Sequence, residues 1–295
     1  MLAIVSIISH FESMNKLNNE ERARIIALLC EGNSIRACVR LTGTSKNTIA
    51  KLLCDLGRAC SEYQDKTFRN LTCKRLQCDE LWSFVGVKEK NATAAHKEKG
   101  LGSIWTWTAL DADTKLIPCW FVGTRDAGAA WHFMNDLAGR LVNRAQLTTD
   151  GHKAYLSAVE DNFGANIDYA MLNKIYGKPD ESPEHRYSPA QCMGAKKALI
   201  SGNPDFKHTS TSYAERQNLN IRMGNRRFTR LTNAFSKKVE NHEHAFAITM
   251  MFHNFCRIHQ TLRVTPAMEA GLTDHVWEVS EVVALLDQKG VEKAA

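Results

Sequence analysis

The spacing of hydrophobic and polar positions predicts three short helices in the first part of the chain. Apolar residues recur there every three or four positions, the period of a helix with one buried face. A glycine turn at Gly43 separates the last two runs. Residues suited to cap a helix precede each run, at Asn18 or Asn19, Ser34, and Thr44 or Ser45. We interpret residues 14–56 as a helix-turn-helix module, with a plain three-helix packing module as the alternative.

Residues 75–87 form an apolar run that predicts a strand buried on both faces. Asp79 and Glu80 lie in its middle. A buried carboxylate is costly unless it is paired, protonated or bound to a metal ion. Neighbouring residues of a strand point to opposite faces, so we expect only one of the two acids to share a given site, and Glu80 to face a basic or polar partner. An edge strand with solvated acids is the alternative.

Strands and helices alternate in the middle of the chain, which predicts an α/β fold. We expect strands at 103–110 and 116–122 joined by a turn, then a helix over 127–142 capped by Asp126. Turn chemistry accounts for Asp111 and Asp113. A short strand at 146–149 ends at Asp150, followed by glycine. An acid at the carboxyl end of a strand lies where ligands bind in α/β sheets.

The last third of the chain predicts helices interrupted by one irregular segment. Residues 178–211 contain four of the six prolines, so we expect a loop and hairpin inserted at about 177–211. Helices are expected at 212–223, 236–258 and 273–287. The chain therefore divides into the module at 14–56, a linker at 57–73, a main domain at 74–270 containing the insertion, and a terminal helix and tail at 271–295.

Charge is distributed unevenly along the chain. The formal net charge is +6, but residues 186–239 hold eleven Lys and Arg against two acids, a balance of +9. Such a basic lobe suggests a polyanionic partner, and a solvated surface is the alternative. The nine cysteines contain no C-x-x-C pair, so we expect reduced core residues in a cytoplasmic protein rather than a zinc ribbon. The apolar residues 1–9 are too short to span a membrane.

Several short sequences resemble one known family. They are Cys-Asp-Glu-Leu-Trp-Ser-Phe-Val at 78–85, Thr-Thr-Asp-Gly-His-Lys-Ala-Tyr at 148–155, Ser-Thr-Ser-Tyr-Ala-Glu-Arg-Gln-Asn at 210–218, Arg-Arg-Phe-Thr-Arg-Leu-Thr-Asn at 226–233, and His-Gln-Thr-Leu-Arg-Val-Thr-Pro at 259–266. Together they resemble the DDE transposases of the insertion-sequence-one family over about residues 75–290. This chain departs from many relatives in lacking an N-terminal cysteine-rich zinc finger. It also has a wide gap of 64 residues between Asp150 and Glu215.

The resemblance implies a ribonuclease H-like catalytic domain, a mixed sheet flanked by helices, after the helix-turn-helix module. It implies that Asp79, Asp150 and Glu215 are catalytic and bind two Mg²⁺ ions, which Mn²⁺ can replace. The chemistry agrees, because Mg²⁺ prefers hard carboxylate oxygens and two such ions promote phosphodiester cleavage. For Glu215 an alternative exists. Ser212 and Glu215 also fit a helix capping box, which would turn the glutamate away from a metal ion.

Seven basic side chains and one asparagine are the candidate contacts to DNA. At the start of the third helix they are Lys46, Asn47 and Lys51, and in the basic lobe they are Arg216, Arg222, Arg226, Arg227 and Arg230. A solvated basic face is the alternative. His152 is a candidate for touching the scissile phosphate, although a turn histidine fits equally well. His242 and His244 would not share a helix face, so no metal site is expected there.

The function expected from these features is a transposase that cleaves double-stranded DNA at mobile-element ends and joins the 3′-hydroxyl to target DNA. We expect a homodimer or larger assembly on DNA, in the cytoplasm with the nucleoid, and no membrane partner. One alternative is a ribonuclease H-like nuclease or integrase that uses the same metals without transposition. A second is a DNA-binding regulator derived from a transposase.

Overall fold

The structure is a computed structural model and describes residues 17–177, 192–230 and 232–292. The apolar first residues and much of the proline-rich part of the expected insertion lie outside these ranges. Within them, no helix is long and apolar enough to cross a membrane. None of the nine cysteines forms a disulfide, and six of them are buried, as expected for reduced core residues.

Three N-terminal helices open the described chain: α1 (Asn19–Cys30), α2 (Ile35–Thr42) and α3 (Lys46–Thr67). Asn18, Ser34 and Ser45 cap them through side-chain oxygens that accept backbone N–H bonds. The helix α3 has 22 residues and continues through most of the expected linker. Its buried side chains recur at helical spacing to Gln64, so the same apolar face extends past the module.

A six-stranded mixed sheet forms the centre of the fold. Its strands are β1 (Arg75–Val85), β2 (Gly102–Asp111), β3 (Cys119–Gly123), β4 (Ala145–Asp150), β5 (Ile167–Tyr176) and β6 (Cys192–Ser201). The order is β3-β2-β1-β4-β5-β6. The pairs β3/β2, β2/β1 and β5/β6 are antiparallel, whereas β1/β4 and β4/β5 are parallel. With helices packed around it, this is a ribonuclease H-like α/β sheet, which confirms the expected fold class.

The helices beyond the N-terminal module connect and cover the strands. They are α4 (Ala94–Glu98), α5 (Ala127–Ala138), α6 (Ala154–Phe163), α7 (Ser212–Gly224), α8 (Val239–Met251), α9 (Pro266–Glu269) and α10 (Val279–Glu292). Asp126 caps α5, as the sequence predicts. The long helix expected at 236–258 is shorter, because α8 passes into one π-helical turn at Phe252–Cys256.

A shared core joins the N-terminal helices to the sheet domain. The same hydrophobic cluster includes Ile25 of α1, Leu147 of β4 and Val283 of α10. Gln64 of α3 donates to the backbone oxygen of Ala247 in α8 across 3.2 Å. The three helices are therefore packed against the sheet domain rather than attached by a free tether.

The inserted segment differs from the expected hairpin. The described part, β6, pairs antiparallel with β5 and extends the sheet by one strand. Residues Phe206–His208, which fall within the expected hairpin, make a single 3₁₀ turn instead of a strand. Asp205 caps this turn by accepting from the amide of Lys207, a local bond that competes with strand pairing.

Candidate active site

Asp79 and Asp150 meet because their strands are parallel neighbours. The last register pair between β1 and β4 is Cys78 with Thr149, so the next residue of each strand is an aspartate. One ligand atom from each of Asp79, Glu80 and Asp150 lies within 4.8 Å of the other two. Asp79 and Glu80, in the middle of β1, therefore form one cluster with Asp150, which lies far from them in sequence at the carboxyl end of β4.

Glu80 belongs to this cluster, which corrects the expectation that only one of the two adjacent acids would share the site. Hydrogen bonding between β1 and β4 stops at Cys78 and Thr149. Beyond these residues β4 no longer lies beside β1. Side chains from both faces of β1 can therefore reach this edge of the strand. The Glu80 side chain is almost completely buried, with 1% exposed, and its carboxylate lies near that of Asp150.

Arg125, just before α5, is the basic partner expected for Glu80. Its guanidinium lies 3.0 Å from Glu80 Oε2 and 3.8 Å from Asp150 Oδ2. The same group lies over the Trp105 ring, 4.6 Å from its centroid. The arginine therefore neutralises part of the charge of two acids, and its stacking on Trp105 limits how far it can move.

The acid cluster carries more negative charge than its protein partners neutralise. Burial, followed by repulsion from Asp150, raises the pKa of Asp79 to about 7. Burial and Asp150 also raise the pKa of Glu80 to about 7. Asn218 of α7 donates to Asp79 Oδ2 at 2.8 Å, and the amide of Glu80 donates to Asp79 Oδ1 at 2.9 Å. These bonds orient the Asp79 carboxylate but supply no full positive charge.

Glu215 lies in the first turn of α7 and does not form the capping box considered above. The N-cap is Thr211, and Ser212 is already the first helical residue. The Glu215 carboxylate accepts from the Thr211 hydroxyl at 2.5 Å and forms an ion pair with Lys174 of β5. Its negative charge still contributes to raising the pKa of Asp79, so Glu215 lies beside the cluster while held by Lys174.

The residues present fit a divalent metal ion. The donor atoms are hard oxygens, which Mg²⁺ and Mn²⁺ prefer. Raised pKa values at Asp79 and Glu80 indicate a site where added positive charge would be favourable. Asn218 Oδ1 is a buried oxygen without a hydrogen-bond partner among the described residues, although the amide nitrogen of the same side chain contacts Asp79. Asp79, Glu80 and Asp150, with Asn218 and Glu215 adjacent, can hold such an ion.

The histidines differ in their relation to this site. The amide of His152 donates to Asp150 Oδ1 at 3.0 Å, and its ring lies 5.7 Å from that of Trp107. Its Nε2 atom is buried without a partner among the described residues. Burial, followed by the charge of Arg125, lowers its pKa, so a neutral ring is favoured. His242 is hydrogen-bonded to Ser83 Oγ at 3.0 Å and is structural.

The predicted DNA-contacting residues fall into two groups. Lys46, Asn47 and Lys51 are exposed at the start of α3, although Lys51 is paired with Asp55. In the basic lobe, Arg216 is exposed on α7 and the others lie at or beyond the carboxyl end of that helix: Arg222, Arg226, Arg227 and Arg230. A cleft of roughly 720 Å³ between these groups is lined by both Lys46 and Arg226. Of the eight predicted contacts, only Lys46, Arg226 and Arg227 line this basic cleft.

Sequence reasoning did not identify Arg125 and Lys174. Each is the cationic partner of an acid far away in the chain, 45 residues for Arg125 and Glu80 and 41 for Lys174 and Glu215. The basic partner of Glu80 was expected but not its identity. The available signal for Lys174 was its position on β5, shortly after the continuous buried run of that strand.

The Asp111 and Asp113 pair is structural, as expected from turn chemistry. Asp111 accepts from the amide of Asp113 at 3.0 Å and from the Thr114 hydroxyl at 2.8 Å. Asp113 forms an ion pair with Arg75. Asp111 is thus satisfied within the turn that joins β2 and β3 and Asp113 by the first residue of β1, and neither belongs to the acid cluster.

Comparison with known proteins adds distant structural neighbours. No protein-family model matches the sequence, and no curated protein matches it. One solved structure with a likeness is the cryo-EM structure of a piggyBac transposase synaptic complex with hairpin DNA. It shares 10% identity at a TM-score of 0.40, over 92% of this chain and 71% of that chain. Another is the crystal structure of the Mos1 strand transfer complex, with 14% identity and a TM-score of 0.24, over 81% and 82%. These neighbours are transposases, at a similarity too low to place this chain in the insertion-sequence-one family or any other.

Proposed function

We propose that this protein is a DDE transposase, related to the insertion-sequence-one family, that cuts DNA at mobile-element ends and joins the freed 3′-hydroxyl to target DNA. The observation that carries the proposal is the meeting of Asp79 and Asp150 at the point where two adjacent parallel strands stop pairing, within a cluster spanning 4.8 Å. When acids with raised pKa values are ionised, they lower the free energy of unfolding. Their presence in the protein therefore favours a role in binding a metal ion.

In this proposal Asp79, Asp150 and Glu215 hold two Mg²⁺ ions, and Mn²⁺ can replace them. Bound divalent ions would activate the attacking water or 3′-hydroxyl and stabilise the leaving oxygen. Asn218 orients the Asp79 carboxylate through its 2.8 Å bond. Arg125 holds Glu80 in place and partly neutralises Asp150. Glu215 becomes a ligand only when its carboxylate leaves Lys174.

The DNA would lie along the basic cleft between the N-terminal module and α7. The candidate contacts at α3 are Lys46, Asn47 and Lys51, and those of the basic lobe are Arg216, Arg222, Arg226, Arg227 and Arg230. Among the described residues, none of the five arginines of the lobe forms an ion pair with a carboxylate. Phosphates are the anions that such unpaired guanidinium groups recognise best.

The same site fits a ribonuclease H-like nuclease or integrase that cuts without transposition. Both functions use the same ions and acids to cut DNA. Only joining of the cut strand to target DNA distinguishes the transposase from the nuclease. A transposase-derived regulator fits less well, since DNA binding alone gives no role to a buried acid cluster. We further propose that the protein acts as a homodimer or larger assembly on DNA, in the cytoplasm with the nucleoid.

The test is an assay of cleavage and joining with duplex DNA that carries the terminal inverted repeats flanking the gene. Wild-type protein with Mg²⁺ should release a 3′-hydroxyl end and then join it to supercoiled target DNA. Asp79→Asn and Asp150→Asn should abolish both steps and leave binding of the same DNA nearly intact. Asp161→Asn, an exposed aspartate on α6, serves as the control with full activity.

Each outcome separates the candidate functions. Cleavage without joining of a pre-cut 3′-hydroxyl end would favour the nuclease. Binding without any cleavage, unchanged in both variants, would favour the regulator and overturn the proposal. Cleavage that persists in Asp79→Asn would show that the acid cluster is not the catalytic site.

A further inference from the structure

A small cavity with aromatic and cationic walls lies beyond the acid cluster along β1. Its volume is about 190 Å³, and Trp82, Phe84, Lys88, Arg222 and Arg230 are among the residues that line it. No carboxylate belongs to its described lining. Nothing in the proposed chemistry of the acid cluster accounts for these aromatic residues.

The aromatic rings form a short ladder on one side of the cavity. The Trp82 and Phe84 ring centroids are 6.1 Å apart, and those of Phe84 and Phe235 are 4.8 Å apart. The Trp82 indole N–H donates to Ser103 Oγ at 3.1 Å, which fixes the orientation of that ring. Trp82 and Phe84 line the cavity and are only partly buried, so part of each ring is accessible from the cavity, with Phe235 packed behind Phe84.

The cations around the cavity have no anionic partner in the protein. Lys88 Nζ lies 5.8 Å from the Phe84 ring centroid. Arg222 donates to the backbone oxygens of Phe228 and Trp82, at 3.2 and 3.4 Å. Within the described chain, neither these two nor Arg230 forms an ion pair. Because Arg222 is partly buried with only backbone oxygens as partners, an anionic group in the cavity would stabilise its charge.

The cavity lies on the same elements as the acid cluster. Trp82 is three residues from Asp79 on β1, a distance of about 10 Å at about 3.3 Å per strand residue. On α7, Arg222 is four residues after Asn218, the residue that contacts Asp79. At about 3.4 Å per stacked nucleotide, this separation corresponds to two or three nucleotides of a DNA strand.

We propose that this cavity binds one unpaired nucleotide of the DNA strand that enters the acid cluster. The proposal rests on the proposed function and adds that the substrate has single-stranded character next to the cleaved bond. The volume admits a single base and excludes a base pair. Exposed aromatic faces hold bases by stacking without regard to sequence, and the surrounding cations hold the phosphates.

The experiment measures binding of fluorescein-labelled DNA by anisotropy in EDTA, where metal-dependent cleavage does not occur. Three probes are compared: a 15-nucleotide dT strand, a 15-base-pair duplex, and a duplex with three unpaired terminal nucleotides. Phe84→Leu, which keeps apolar volume but removes the ring, should weaken binding of the dT strand and the forked duplex about tenfold, the loss of about one stacked base. Binding of the closed duplex should stay within twofold.

A matched aromatic control and a second readout keep the test decisive. Trp131→Leu removes a ring that is 40% exposed on α5, and should leave all three affinities unchanged. In wild-type protein, 2-aminopurine at the unpaired position of the forked duplex should lose fluorescence on binding because it stacks. This readout needs no variant, so poor folding of Phe84→Leu would not prevent a result.

Several results would overturn the proposal. They are equal effects of Phe84→Leu and Trp131→Leu, equal loss for the closed and forked duplexes, or unchanged 2-aminopurine fluorescence. Competition by free dTMP as effective as that by the dT strand would assign the cavity to a free nucleotide instead. Because binding is measured without metal, failure here is distinct from failure of the proposed function, which would appear as absent cleavage.

Discussion

Lys174 on β5 forms an ion pair with Glu215 on α7, beside the acids of β1 and β4. Burial alone would lower the pKa of Lys174, but its bond to Glu215 raises it above the ordinary value. Its charge also partly offsets the burial and the Asp150 repulsion that raise the pKa of Asp79. The ammonium group therefore supplies positive charge next to the carboxylates, where a divalent ion would otherwise supply it.

Replacing Lys174 should strengthen metal binding. Lys174→Met frees the Glu215 carboxylate and removes a competing cation, so the affinity for Mn²⁺ should rise about fivefold or more. Isothermal titration calorimetry without DNA measures this affinity.

Lys97→Met is the control, because it breaks an exposed 2.8 Å ion pair with Glu89 away from the cluster. In a Glu215→Gln background the gain should shrink. An unchanged affinity in Lys174→Met would mean that Glu215 is not a ligand.

Glu215→Gln should separate catalysis from stability. Glutamine keeps an oxygen that accepts from the Thr211 hydroxyl but loses the charge that a metal ion requires. The rate of Mg²⁺-dependent cleavage should fall about 100-fold, the scale of losing a group that supports a metal site, with little change in melting temperature. Ser212→Ala should be nearly neutral in both measurements, since Thr211 is the N-cap. Near-normal cleavage in Glu215→Gln would transfer the third ligand role to Glu80.

Stability without metal should fall as the pH rises. The folded pKa of Asp79 and of Glu80 is about 7, above the ordinary values of 3.8 and 4.5. The folded protein therefore binds these protons more tightly than the unfolded chain, so stability is full below about pH 4 and is lost as the pH rises toward 7. Melting curves in EDTA should show this decline, and Asp79→Asn should reduce it by about 4 kcal/mol, since the pKa of Asp79 is shifted by about three units at about 1.4 kcal/mol each.

Magnesium should reverse that decline. At pH 8, where the acids are ionised, Mg²⁺ should raise the melting temperature of the wild-type protein more than it does at pH 5.5. The Asp161→Asn control should behave like the wild type at both values. A melting temperature in EDTA that does not change between pH 5 and 8 would contradict a pKa near 7 for the cluster.

The N-terminal module should bind DNA through the start of α3. Lys46→Ala removes an exposed cation that lines the basic cleft, so affinity should fall for every sequence and the salt slope should decrease by about one. Lys66→Ala, an exposed lysine at the end of the same helix, is the control and should leave the slope unchanged. Equal effects of the two substitutions would indicate a diffuse charge effect rather than a contact.

The close packing of α3 against α8 should make the stability of the protein sensitive to a methyl group added at Gly57. A Cβ atom at Gly57 would lie 2.4 Å from His244 Cβ and 2.6 Å from its backbone oxygen. Gly57→Ala should therefore destabilise the protein by about 1–3 kcal/mol, although alanine favours helix formation. Gly128→Ala on α5 meets only an Asp126 side-chain oxygen at 3.4 Å and should be neutral or stabilising. Melting curves of the two variants test this, and a Gly57→Ala protein as stable as wild type would refute the close packing.

Local signals in the sequence were sufficient for most elements and for two of the three expected acids. The apolar run of β1, the end of β4 at Asp150 and the caps of α1, α2, α3 and α5 each depend on residues only a few positions apart. Hydrogen bonds and side-chain periods at that range are readable from the chain itself. The placement of Asp79 next to Asp150 required one further step, the parallel pairing of their strands.

Tertiary structure alone decided which charges meet. Glu80 joined the cluster because β4 ends early, and Arg125 and Lys174 became partners of Glu80 and Glu215 across more than 40 residues. The helix α3 continues through the expected linker because its buried face packs against α8. Side chains so far apart in sequence are brought together by strand order and helix packing, and no local pattern encodes those distances. The sequence determined the fold class and the strand positions of Asp79 and Asp150, and the packed structure determined which other charged side chains lie beside them.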